Sequence, residues 1–126
     1  MSNFTLASNT KNTPEHLYVK MKEKILGKKY ALTLAFVGPQ QAQTLNVQYR
    51  KKDYIPNVLS FPLTKDTGEV YICLSVAKKE HRKFMMSYEG YVGYLFIHAL
   101  LHLKGLDHGE IMEKQEKKYC KYFTLV

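Results

Sequence analysis

The stretch Tyr91 to Lys104, YVGYLFIHALLHLK, is apolar on nearly every side of a helical wheel. A surface helix shows one apolar stripe, whereas a helix apolar all round has to be covered by other elements. The chain must therefore fold around this segment. At 126 residues it has the material for one domain, and a domain of that size buries roughly two-thirds of its unfolded surface.

The flanking signals alternate between helix and strand. Thr13-Pro14-Glu15 reads as an N-cap, a proline at the first helical position and a first-turn acid. Leu17, Met21 and Ile25 then recur every four residues, and Gly27 supplies the stop. Tyr30 to Val37 reads as a buried strand, with Leu32, Leu34 and Phe36 alternating. Gly38-Pro39 breaks it before a weakly patterned helix from about Gln40 to Tyr49. Asn57 to Phe61 suits a short strand between two prolines, and Asp66-Thr67-Gly68 looks like a turn. Glu69 to Leu74 pairs with the preceding strand, Ser75 caps a helix running to about Met86, and Glu110 to Tyr122 is a final amphipathic, basic helix. A short strand at Phe4 to Ala7 would make four. The expected fold class is α+β, a small mixed β-sheet packed with helices around a histidine-bearing central helix.

Charge narrows the partners. Nineteen Lys and Arg oppose eleven Asp and Glu, a formal net charge of +8, and such a surplus attracts polyanions. Seventeen of the cations are Lys, and only Arg50 and Arg82 are Arg. Lys is a flexible point charge suited to diffuse phosphate attraction, whereas Arg makes fixed two-pronged contacts. Arg82 lies in KKEHRK and reads as part of a solvated basic face; His16 and His81 read as surface residues. Two cysteines, Cys73 and Cys120, are too few for a disulfide framework. The start lacks a signal-peptide pattern, and no apolar run reaches spanning length. These features predict a cytoplasmic protein with no membrane partner.

The chemistry concentrates in HALLHLKGLDH, residues 98 to 108. His98 and His102 are four apart, one turn from each other on one helix face. Gly105 sits where a helix end accepts a left-handed residue, so the chain can turn and swing His108 back. Three neutral imidazoles favour zinc with a fourth position open. The spacing H-x-x-x-H-x-x-G-x-x-H is that of the metzincin proteases. Ala99, however, stands where they carry a catalytic Glu, which removes the base for peptide hydrolysis. A closed structural site needs a fourth ligand, with Asp107, Glu110, Cys73 and Cys120 as candidates.

This stretch resembles the H-G-x-L-H-L-x-G-Y-D-H signature of the YbeY-type endoribonucleases, the bacterial rRNA-maturation factors. LNVQYRKKDYIPNVLSFP (residues 45 to 62) and GEVYIC (68 to 73) resemble two further family segments in the same order. Ala99, Leu106, Glu69 and Pro56 depart from the family's usual Gly, Tyr, Asp and Thr, and none of them removes a metal ligand. The resemblance implies one metal-dependent hydrolase domain over residues 1–126. It implies one zinc ion on His98, His102 and His108, and Arg50 as the cleft arginine important for activity. It implies a single-strand endoribonuclease in rRNA processing, partnered by rRNA precursors and ribosomal components, with DNA not expected. The residues agree on Arg50, which opens the cluster Arg50-Lys51-Lys52 and can clamp a phosphate; otherwise it is an exposed helix-end cation. Tyr49 and Tyr54 beside it are candidates for stacking on unpaired bases. Two alternatives stay open: a ribosome-associated RNA-binding protein with structural zinc, and a metallohydrolase of another substrate such as a peptide.

Overall fold

The computed structural model describes residues 3–7 and 15–125. Strand β1 (Phe4–Leu6) leads to helix α1 (Glu15–Leu26), strand β2 (Ala31–Val37) and helix α2 (Pro39–Arg50). The hairpin β3 (Val58–Thr64) and β4 (Thr67–Cys73) follows, then α3 (Leu74–Glu80), a 3-10 turn (His81–Phe84), α4 (Tyr88–Leu103) and α5 (Glu110–Tyr122). Thr13 and Pro14, read as the start of the first helix, lie outside the described residues.

The four strands form one mixed sheet in the order β1-β2-β4-β3. β1, β2 and β4 are parallel, and β3 runs antiparallel to β4 at the edge. The α+β class with a small mixed sheet is as the sequence predicts. Alternation sorts the strands into two faces. Leu32, Leu34, Val70 and Ile72 are buried in the main core with α1 and α4. Thr33, Glu69, Tyr71 and Phe61 point the other way, where Tyr49 of α2 sets its ring 5.4 Å from that of Phe61.

α4 is the buried centre that its composition demands: Leu95, Phe96, Ile97, Leu100 and Leu101 are all 2% exposed or less. Full burial of such side chains contributes about 1.5–3 kcal/mol each. The helix begins three residues before the expected Tyr91, because the Ser87 hydroxyl accepts from the Gly90 N–H at 3.0 Å. Its end is a Schellman turn. Gly105 takes φ +108°, its N–H donates to the His102 carbonyl, and the Leu106 N–H donates to that of Leu101.

Several local expectations are corrected. The predicted helix from Ser75 to Met86 starts at Leu74 and stops at Glu80; the 3-10 turn follows, and Met85 closes it in the left-handed region at φ 56°. His81 is half-buried there rather than a surface residue, its Nδ1 2.8 Å from the Met86 carbonyl oxygen. The hairpin turn is tighter than Asp66-Thr67-Gly68, since Thr64 already pairs with Thr67. Gly68 therefore lies within β4. β3 continues through Pro62, which an edge strand tolerates. Lys22, one of the seventeen lysines, is fully buried and donates from Nζ to the Gly27 and Lys28 carbonyls, closing the end of α1. No helix among the described residues is long and apolar enough to cross a membrane.

Candidate metal centre and cleft

α4 presents His98 and His102 one turn apart, and the Schellman turn brings His108 back beside them. The ring centroids are 4.7 Å apart for His98–His102, 4.7 Å for His102–His108 and 5.2 Å for His98–His108. One nitrogen from each of the three lies within 4.8 Å of the others, close enough for all three to meet one ion. Among the described residues this cluster holds histidines only. Asp107 and Glu110 are exposed outside it, and Glu110 pairs with Lys114 instead. Cys73 is buried 3.4 Å from the Ser75 hydroxyl. Cys120 is buried on α5, where burial and then Glu116 push its thiol up to about 11, so it stays protonated. The candidates for a fourth protein ligand thus lie outside the set.

Neighbours settle which ring nitrogens are free. His98 Nδ1 meets the carboxylate of Glu116 on α5, and His102 Nδ1 lies 3.0 Å from the Leu106 carbonyl oxygen. A carbonyl or carboxylate accepts, so each Nδ1 carries the proton and Nε2 keeps the lone pair. Burial holds His102 below its ordinary pKa, helped by the neighbouring His98 and His108; it therefore stays neutral, as a ligand must. This donor set fits a borderline-soft divalent cation.

Glu116 is the site residue that motif reading missed. It is 7% exposed and also accepts a 3.5 Å hydrogen bond from the Tyr94 hydroxyl. Burial, then the Glu116 charge, pushes that phenol up to about 12. A signal existed: Met112, Glu116 and Cys120 recur at a spacing of four, so an acid interrupts the apolar stripe of α5.

The cluster opens into a cleft of about 500 Å³ between α4, β3 and the loop after α2. Ala99, Ser60, Asn57 and Tyr54 line it, and among the described residues no Asp or Glu does. Arg50, the last residue of α2, lines the same cleft. Its Nη1 lies 3.4 Å from Asn46 Oδ1 and 3.4 Å from the Tyr54 hydroxyl. Asn46, also missed, is fully buried and donates to the Tyr54 carbonyl at 3.0 Å. Arg82 is exposed, as expected. Glu69 faces away from α4 and accepts from the Tyr71 hydroxyl.

Fold and cleft together define a small α+β protein with a three-histidine candidate metal centre. The family model described as Endoribonuclease YbeY matches residues 3–124, and the chain belongs to that family. It is 39% identical over 100 residues to Endoribonuclease YbeY of Alkaliphilus metalliredigens, covering 71% of this chain and 64% of that protein. It is 42% identical over 101 residues to the Campylobacter jejuni protein of the same name, covering 73% and 75%. The first of these matches thus spans just under two-thirds of the relative's length. The solution structure of TM1509 from Thermotoga maritima superposes with a TM-score of 0.65 at 28% identity, covering 95% of this chain and 88% of that one.

Proposed function

We propose that this chain is a zinc-dependent endoribonuclease that cuts single-stranded RNA during rRNA maturation and ribosome biogenesis in the cytoplasm, with one zinc ion per chain. The observation that carries the reading is a cleft that brings Arg50 and three histidines together with no acidic lining residue among the described ones. Such a cleft offers a phosphodiester a fixed cation and sets no like charge against it. The relatives, named as endoribonucleases, supply the reaction class.

His98, His102 and His108 would hold the metal. A divalent cation held there would supply Lewis acidity and would lower the pKa of a water molecule toward about 7. Glu116 and the Leu106 carbonyl keep two imidazoles in the tautomer that leaves Nε2 free. Arg50 places two or more N–H donors on the phosphate and stabilises the charge that grows there. The exposed lysines, among them Lys51 and Lys52, add sequence-independent attraction to the backbone. Rather than reading base sequence through side chains, the protein takes its sequence selectivity from ribosomal components.

The test compares cleavage of a single-stranded RNA by the native protein, His102→Ala and Arg50→Ala, with metal analysis of each. The native protein should hold about one zinc and cut. His102→Ala should lose both metal and cleavage, and Arg50→Ala should keep metal while cutting roughly 100-fold more slowly. A folded His102→Ala that cuts like the native protein refutes metal catalysis; unchanged turnover in Arg50→Ala removes Arg50 from the mechanism.

A further inference from the structure

The half-exposed ring of Tyr54 is unusual in how firmly its backbone is held. The loop from Lys51 to Asn57 starts on a left-handed cap, with Lys51 at φ 59°. Its N–H donates to the Val47 carbonyl, and that of Lys52 to the Asn46 carbonyl. Gln43 donates to Asp53 at 3.2 Å, and the buried Asn46 amide holds the Tyr54 carbonyl at 3.0 Å. Pro56 is buried. At the far end Asn57 donates to Glu80 at 3.1 Å, and its carbonyl accepts from the Cys73 N–H. A loop tied at so many points has already lost the freedom that a binding loop otherwise loses on meeting its ligand.

This anchoring leaves Tyr54, a residue 51% exposed, on the cleft. Its hydroxyl lies 3.4 Å from Arg50 Nη1, and Lys51 and Lys52 precede it in the loop, with Asp53 between. Tyr49 is also exposed, but it does not line the cleft and its ring packs on Phe61. The two tyrosines that the sequence leaves equivalent are therefore different in place and in company.

We propose that Tyr54 is a base-stacking residue: its ring receives one unpaired nucleobase of the strand whose phosphate Arg50 holds. The inference rests on the RNA-cleaving function proposed above. Aromatic stacking tolerates any base because every base has a π-face. The subsite therefore selects unpaired over paired strands without reading sequence.

The test uses a fluorescein-labelled 12-nucleotide single-stranded RNA and variants with one abasic position moved along it. Binding is read by anisotropy and cleavage by gel. Tyr54→Leu should weaken binding about tenfold. Tyr54→Phe, which keeps the ring and loses the hydroxyl, should stay within about threefold of native, and Tyr49→Leu within twofold. At one position an abasic nucleotide should weaken native binding by about as much as Tyr54→Leu does, with no further loss in that variant. Native-like binding by Tyr54→Leu overturns the inference. So does an equal loss in Tyr54→Phe, because the hydroxyl contact to Arg50 then matters and the ring does not. Additive losses at every abasic position overturn it as well. If the native protein binds and cuts none of these RNAs, the proposed function itself fails; binding and cutting with a flat variant series removes only the stacking site.

Discussion

Glu116 lies outside the histidine motif, yet metal affinity should depend on it. Its buried carboxylate accepts from His98 Nδ1 and from the Tyr94 hydroxyl. Replacing it with Ala removes the acceptor that sets the His98 tautomer and leaves two donors without their partner. Loss of such a supporting group typically costs 10- to 100-fold in metal affinity, or about 1.4–2.8 kcal/mol at tenfold per 1.4 kcal/mol. Glu116→Ala belongs at the upper end, because the imidazole loses both its charge partner and its orienting bond. Glu116→Gln retains a carbonyl oxygen that can accept from Nδ1 and loses only the charge, so about tenfold is expected. Glu113→Gln, on the exposed side of the same helix, is the control and should change nothing. The assay is zinc affinity by competition with a chromophoric chelator, with circular dichroism to show that each variant is folded. Native affinity in folded Glu116→Ala refutes the argument. So does an equal loss in the Gln and Ala variants, since the charge alone would then carry the effect.

Three other outcomes follow from local geometry. Met85 is 95% exposed at φ 56°, so Met85→Gly should stabilise the fold by about 1 kcal/mol and raise Tm by about 4 °C in a thermal melt. A Cβ at Gly68 would fall on the Tyr30 hydroxyl and 3.2 Å from the Phe61 carbonyl, so Gly68→Ala should cost about 2 kcal/mol in urea unfolding. That hydroxyl is buried with no hydrogen-bond partner among the described residues, so Tyr30→Phe should be neutral alone and restore part of the loss in the double variant. His102 is held below the ordinary value, chiefly by burial. Below about pH 6.5 the unfolded chain takes up a proton that folded His102 refuses. The metal-free protein should therefore lose stability as pH falls from there toward the lowered value, and His102→Asn should flatten that part of the urea-midpoint profile.

Much of this was legible in the residue pattern, because it is local. The histidine spacing and Gly105 follow from helix periodicity and from the one residue that enters the left-handed turn without strain. The α5 boundaries, Glu110 to Tyr122, follow from an amphipathic stripe. The helix expected from Ser75 to Met86 fails for a reason outside periodicity: Met85 takes a left-handed conformation that its residue type does not signal. Asn46 looked like one polar residue among several on a weakly patterned helix. Only its burial against the Tyr54 carbonyl shows that it is structural.

The sequence by itself determined a covered central helix, three imidazoles able to meet one ion and a cationic chain suited to polyanions. Short-range geometry and composition dictate these without reference to distant residues. The tertiary structure decided what lies across from them. It set Glu116, eighteen residues after His98, behind the imidazole. It carried Arg50 into the cleft, turned Tyr54 toward it and Tyr49 away, and withdrew Lys22 from the charged surface. Such pairings depend on how helices and strands distant in sequence pack, and packing is set by the complementarity of whole faces, which the order of residues along one element does not contain.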